Sequence, residues 1–419
     1  MSLIGTDSAT ERIIRAEDEH VAHNYHPLPV VIASGEGAWV TDVDGKRYLD
    51  LLSAYSALNF GHAHPALLAA AREQLGRVTL TSRAYHNDKL GPFAAALAEL
   101  CRKDLVLPMN TGAEAVETGI KVARAWGYRV KGVPAGQASI IVADGNFHGR
   151  TTTIVSFSDD PQARDGFGPF TPGFVHVPYG DAEAIADAID DTTVAVLIEP
   201  IQGEAGVVIP PDGYLRRVRE ITAEKNVLFI ADEIQSGLGR VGETFACDRA
   251  GVVPDLYLLG KALGGGILPL SAVVGNRDVL GVIAPGEHGS TFGGNALATA
   301  VSTAVLGEIE RAGLVENAAV RGDQLREAID AIGSSLVDGC RGRGLLIGVS
   351  LRHPVAGAVV AAAQQHGLIV NAANDATVRI APALTIGDVE IDEFIDLFTR
   401  ALRTVEDALV LDETPEEKK

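Results

Sequence analysis

"VLFIADE", residues 227–233, runs through five apolar residues without a break and ends on two carboxylates. A strand with one wet face would alternate, whereas an unbroken apolar row buries both faces, as parallel strands do beneath covering helices. Runs of the same texture stand on either side: "SIIVAD" at 139–144, "TIVSFS" at 153–158, "VAVLIEP" at 194–200, "LYLLG" at 256–260 and "LSAVVG" at 270–275. Helical patterns separate them between about residues 65 and 305. The alternation predicts an α/β domain with a mostly parallel, doubly wound sheet wrapped by helices. Such sheets bind ligands beyond the carboxyl ends of their strands, so the residues that close each run are the first to question.

Outside that block the texture changes. "GAWVTDVDGKRYLDL", residues 37–51, reads as a hairpin turning at Asp44-Gly45. After residue 311, helical stretches lead into "RGRGLLIGVSL" (341–351) and "TVRIAPAL" (377–384), two strand-like runs without parallel crossovers. These features predict a smaller α+β domain assembled from both chain ends, residues 1–55 and 311–419, beside a large domain of residues 56–310. The tail "LDETPEEKK", 411–419, reads as frayed.

Composition excludes several functions. A chain of 419 residues exceeds what one ordinary core accommodates. Its 47% hydrophobic and 21% charged residues are those of a globular protein. A net charge of -20 repels nucleic-acid phosphates and anionic membranes, so neither is expected as a partner. Cys101, Cys247 and Cys340 are odd in number and too scattered for a zinc motif, which suits a reducing compartment. The first twenty residues lack a basic start followed by an apolar core, and no apolar run is long enough to span a bilayer. The expectation is a cytoplasmic protein.

Chemistry concentrates at the strand ends. In "LYLLGKALGGG", 256–266, Lys261 follows an apolar run directly. A buried amine must be paired, neutralised or used, and a desolvated lysine of lowered pKa is a carbonyl nucleophile. A lysine that snorkels to solvent is the plain alternative. Asp232 closes "VLFIAD" and would hold a protonated ring nitrogen, or else cap a helix or form a salt bridge. Asp232 and Lys261 lie 29 residues apart, which fits one strand-helix-strand unit that would present both to one ligand. In "NTGAEAVETGIKVARAWGY", Thr111 and Glu114 form a capping-box pattern, and the small Gly112 and Ala113 leave backbone N–H groups open to a phosphate.

Other signals point less far. "GEGAWV" at 35–40 leads into a hairpin rather than a helix, which argues against dinucleotide binding. His20, His23 and His26 have the spacing of metal ligands, but Pro27 and Pro29 break the helix that would align them, and no metal is expected. "LGGG" at 263–266 is a turn that lets backbone approach a ligand, or only a loop. Arg379 interrupts an apolar strand as either an ion-pair partner or a carboxylate clamp.

The strings "NTGAEAVETGIKVAR", "GNFHGRT", "EPIQGEAGV", "ADEIQSGLGR", "LLGKALGGG" and "GSTFGGN", in this order, resemble the class III, fold-type I aminotransferases that use pyridoxal 5'-phosphate. "HNYHPLPVV", "SAYSALNFGH", "LTSRAYHN" and "GFGPFTPGF" are similar to the branch that acts on the δ-amine of ornithine. The resemblance spans roughly residues 20–405. It implies that Lys261 forms the Schiff base and shuttles the proton, that Asp232 holds the pyridine nitrogen, and that Gln235 holds the ring's phenolic oxygen. It also implies that Phe147 stacks on the ring, with His148 at its edge where the family often has tryptophan. Gly112 and Ala113 would bind the phosphate, and Thr291 would reach it from a second subunit, making a homodimer with shared sites.

For substrates, the resemblance implies L-ornithine and 2-oxoglutarate, giving glutamate and a glutamate 5-semialdehyde that cyclises to pyrroline-5-carboxylate. Arg379 would clamp the α-carboxylate of glutamate, and Glu204 would neutralise Arg379 when ornithine binds. Arg150 would take the distal carboxylate, while Tyr25 and Tyr55 would receive ornithine's α-groups. N-acetylornithine or 4-aminobutyrate transamination would need the same cofactor residues, and "NYHPLP" with Tyr25 argues for ornithine. A protein that binds the cofactor without turnover would not need Lys261, Asp232, Arg150, Glu204 and Arg379 together.

Overall fold

The computed structural model describes residues 8–413. Seven strands form the large sheet, in the spatial order Leu105–Met109, Ser271–Gly275, Leu256–Leu259, Leu228–Asp232, Thr193–Ile198, Ser139–Ala143 and Phe174–Val177. From Leu256–Leu259 to Phe174–Val177 every neighbour is parallel; Ser271–Gly275 alone runs antiparallel to both of its neighbours. The five central strands are buried at every residue, which is why their sequences do not alternate. The helix Gly112–Trp126 packs on one face over Ile140, Leu197 and Leu258, and Tyr214–Glu224 covers the other over Val196 and Phe229.

Two sequence expectations need correction. "TIVSFS" is not a strand: Ile154–Phe157 is a 3-10 turn, closed by Val155 and Ser156 donating to the carbonyls of Thr151 and Thr153. A short apolar run fits either state, and here local hydrogen bonds decide. A further strand, Leu105–Met109, lies at the sheet edge, where its Pro108 is tolerated. The connection from Asp232 to Lys261 carries a 3-10 turn, Ala246–Ala250, rather than an α-helix. The two strands are nevertheless parallel neighbours, with Asp232 opposite Leu258.

Two four-stranded sheets complete the fold. Ile32–Glu36, Trp39–Asp42 and Arg47–Asp50 form an antiparallel meander, and Leu368–Ile369 from far along the chain adds in parallel to Arg47–Asp50. The hairpin turns at Asp44-Gly45 as read: Asp42 Oδ1 accepts from the amides of Asp44 and Lys46, and Gly45 takes φ +88°. The other sheet, Val337–Arg343, Leu346–Leu351, Thr377–Ile380 and Asn371–Asn374, is antiparallel throughout. The final helix, Asp388–Glu413, includes the start of the tail read as frayed; residues 414–419 of that tail lie outside the described residues. No helix among the described residues is long and apolar enough to cross a membrane.

Arg240 ties distant segments together. Fully buried, it donates from Nη1 to the carbonyls of Leu345 (2.9 Å) and Pro382 (2.5 Å), and from Nη2 to Asn59 Oδ1 (2.5 Å). Burial pushes its pKa down to about 9. Arg240→Ala leaves three buried acceptors unpaired beside a cavity and should cost about 3 kcal/mol or more. Urea unfolding followed by far-UV circular dichroism measures the shift; an unchanged midpoint would show that water replaces the guanidinium at no cost.

Candidate active site

Three adjacent parallel strands deliver Glu199, Asp232 and Lys261 from their carboxyl ends to one cavity of about 140 Å³. Lys261 opens a 3-10 turn with φ +43°, a left-handed conformation that costs a non-glycine residue about 1–2 kcal/mol. Burial lowers its pKa, and the Arg379 charge pushes the same way against Glu204 and Asp232. The amine is thereby biased toward its neutral, nucleophilic form.

Asp232 is buried. Its Oδ1 accepts from the Ile234 amide at 3.1 Å, and its Oδ2 accepts from His148 Nδ1 at 2.6 Å. Burial by itself would lower the His148 pKa, but the hydrogen bond and charge of Asp232, with Glu199, raise it. His148 therefore lines the cavity, as the sequence suggested, and also orients a carboxylate, which the sequence did not disclose. Glu199, absent from the sequence-based site, accepts from the Phe147 amide at 2.9 Å. Burial pushes its pKa from an ordinary 4.5 up to about 8, with Asp232 adding to the rise. It closes "VAVLIE" as Asp232 closes "VLFIAD", so the strand-end rule applied evenly would have found it.

The other cavity residues arrive from loops and a helix start. Thr111 Oγ1 accepts from the Glu114 amide, and Glu114 Oε2 accepts from the Thr111 and Asn110 amides. With those amides satisfied, Gly112 and Ala113, whose N–H groups have no partner within the helix, line the cavity. Phe147 presents a partly exposed ring at its wall. Gln235 donates from Nε2 to Glu204 Oε1 (3.1 Å) and the Tyr55 carbonyl (3.3 Å). It can lie there only because residue 203 is glycine: a Cβ would fall 1.5 Å from Gln235 Oε1.

Arg379, 1% exposed, donates from Nη1 and Nη2 to Glu204 Oε1 and Oε2 at 2.6 and 3.1 Å, and from Nη2 to Asn371 Oδ1 at 2.9 Å. The choice left open for it falls to an ion pair in this structure. Burial would raise the Glu204 pKa, but the Arg379 charge and hydrogen bond, with Lys261, hold it below the usual range. The ring of Tyr55 lies 5.3 Å from the Arg379 guanidinium. Arg150 lies 5.8 Å from the Phe147 ring and 6.0 Å from that of Tyr25, so these three side chains cluster beside the cavity wall that Phe147 forms. Thr291 is not brought in: it sits exposed on the loop before helix Ala296–Arg311. Of the histidines with metal-like spacing, His20 ends a helix and His23 Nε2 bonds the Asp18 carbonyl.

The residues suit pyridoxal phosphate. Among the described residues, His148 Nε2, Gln235 Oε1 and Arg379 Nε are buried with no protein partner, leaving polar atoms free around a cavity that already holds a lowered-pKa lysine and a carboxylate.

Residues 20–402 match the family described as Aminotransferase class-III. The ornithine aminotransferase of Geobacillus sp. (strain WCH70) is 53% identical over 389 residues, covering 93% of this chain and 98% of the relative. The crystal structure of the Toxoplasma gondii ME49 ornithine aminotransferase superposes with a TM-score of 0.93 at 40% identity, covering 96% of this chain and 97% of that one. The acetylornithine aminotransferase of Elizabethkingia anophelis has a TM-score of 0.87 at 45% identity, covering 94% and 99%.

A carboxyl whose pKa rises on folding gives the folded state an extra proton between its two pKa values, so stability falls as pH rises through that window. For Glu199 the window runs from 4.5 to about 8, and raised His148 acts in the same direction. The cofactor-free protein should therefore unfold at lower urea at pH 8 than at pH 6, and Glu199→Gln, which still accepts from Phe147, should shrink the difference. An equal loss in both proteins would place the titration elsewhere.

Proposed function

This chain belongs to the class III aminotransferases, and from that premise we propose that it transfers the δ-amino group of L-ornithine to 2-oxoglutarate. One observation carries the reading. A buried arginine beside the reactive lysine is neutralised by a carboxylate on a loop, an arrangement that serves two substrates of opposite demand. Glutamate needs a cation for its α-carboxylate, whereas ornithine, entering by its δ-amine, brings no carboxylate there and needs that cation masked.

When bound, pyridoxal phosphate supplies a carbonyl that exchanges amines and a ring that accepts the electrons freed by proton loss. Lys261, whose lowered pKa leaves its amine suited to meeting a carbonyl and to holding or releasing a proton, would be the cofactor's partner and the site's acid-base group. Asp232, oriented by His148, would hold a protonated ring nitrogen. Gly112 and Ala113 would hold the phosphate through backbone N–H groups. Gln235 and Phe147, which line the same cavity, would hold the phenolic oxygen and a face of the ring. Arg379 and Arg150 grip the two carboxylates of glutamate, and Tyr25 and Tyr55 receive the α-groups of ornithine.

A homodimer with shared sites belongs to the same proposal. Gly112 and Lys261 also border a second space of about 340 Å³, lined by Asn110, Thr111 and Leu268. Tyr85 and Phe292 stand 75% and 57% exposed, and a second subunit would cover them while bringing its own Thr291 to the phosphate. The free Cys101, Cys247 and Cys340 suit the cytoplasm.

The holoenzyme, mixed with L-ornithine, N-acetyl-L-ornithine or 4-aminobutyrate without any oxo acid, should convert its cofactor to the amine form rapidly with ornithine alone and release pyrroline-5-carboxylate. Lys261→Ala should bind cofactor and lose this conversion by at least about a thousandfold. Conversion by N-acetylornithine alone would keep the chemistry and move the substrate.

A further inference from the structure

Ser53, Ala54, Tyr55 and Ser56 form one turn of left-handed helix without a glycine, with φ +45°, +47°, +59° and +72°. L-residues enter this region singly and at a cost, so four in series need something to hold them. Asp50 does so. Its Oδ1 accepts from the amides of Leu52 (3.0 Å) and Ser53 (2.8 Å), and its Oδ2 accepts from His62 Nε2 (2.9 Å). The carboxylate is 6% exposed. His62 is fixed in turn: its backbone exchanges hydrogen bonds with Gly37 at 2.7 and 2.9 Å, and its ring lies so close to Gly35 that a Cβ there would come within 2.7 Å.

The turn delivers Tyr55 to the site. Its ring lies 5.3 Å from the Arg379 guanidinium, and its carbonyl accepts from Gln235. The same frame carries the arginine, since the Leu51 carbonyl accepts from the amide of Ala381, two residues beyond Arg379, at 2.7 Å.

We propose that Asp50 and His62 are positioning residues that set the preference for ornithine by holding the Ser53–Ser56 turn, and with it Tyr55, against the Arg379–Glu204 pair. The inference rests on the ornithine reading above. Glutamate is gripped by arginines, whereas ornithine's α-groups depend on the tyrosines, so a loosened turn penalises ornithine first.

Single-turnover half-reactions of the holoenzyme separate this role from a merely structural one. Asp50→Ala should lower kcat/KM for ornithine about tenfold or more, and for glutamate by less than about threefold. Adding Ala54→Gly, which removes a Cβ from the left-handed turn, should restore most of the ornithine rate. Should Asp50→Ala not accumulate as folded protein, His62→Ala makes the same comparison, and His62→Gln, which keeps an N–H for Asp50, should retain the preference. Equal losses with both substrates, or no rescue by Ala54→Gly, would overturn the proposal. A wild-type enzyme inert to ornithine would instead overturn the reading beneath it.

Discussion

The contact on which the site depends is the buried pair of Arg379 and Glu204. A guanidinium that is 1% exposed cannot stay charged without a partner except at a cost of several kcal/mol, and in this structure the partner is a carboxylate held in bidentate geometry. Glu204 sits on a loop beyond a strand end, whereas Arg379 is locked in a strand between Leu346–Leu351 and Asn371–Asn374. On the reading proposed above, Glu204 is the partner that leaves and Arg379 the one that stays. A substrate carboxylate can take the place of Glu204 at little electrostatic cost, because one anion is exchanged for another.

The remaining architecture keeps that exchange close to the chemistry. Parallel strands set Glu199, Asp232 and Lys261 side by side, since their carboxyl ends share one edge of the sheet. Burial then separates their roles: Lys261 shifts toward the neutral amine, Glu199 toward the protonated acid, and Glu204 stays ionised through Arg379. Backbone strain collects at the same place, in Lys261 and in the turn that bears Tyr55. The surrounding fold over-determines both, through the sheet in one case and through Asp50 and His62 in the other.

Much of this was legible in the sequence where chemistry is local. An apolar row that stops on Asp232 or Lys261 announces a strand end, and Thr111 with Glu114 announces a helix start, because neighbours along the chain decide both. "TIVSFS" misled because three apolar residues fit a strand or a tight turn equally well. Arg240 with Asn59, 181 residues apart, and His148 with Asp232, 84 apart, were beyond reach, since no local pattern marks a contact that only tertiary packing creates. The His62 partner of Asp50 was hidden for another reason: its value lies in holding a backbone conformation that the residue types of the turn give no sign of.

The central claim is that Glu204 is a removable counter-ion, and single-turnover kinetics of Glu204→Gln test it most directly. The amide fills the same space without the charge, so ornithine would meet an unmasked Arg379 while glutamate would find its clamp already released. The predicted result is a fall in kcat/KM for ornithine of about tenfold or more with glutamate unchanged or faster. Equal losses for both substrates, or a larger loss for glutamate, would contradict it.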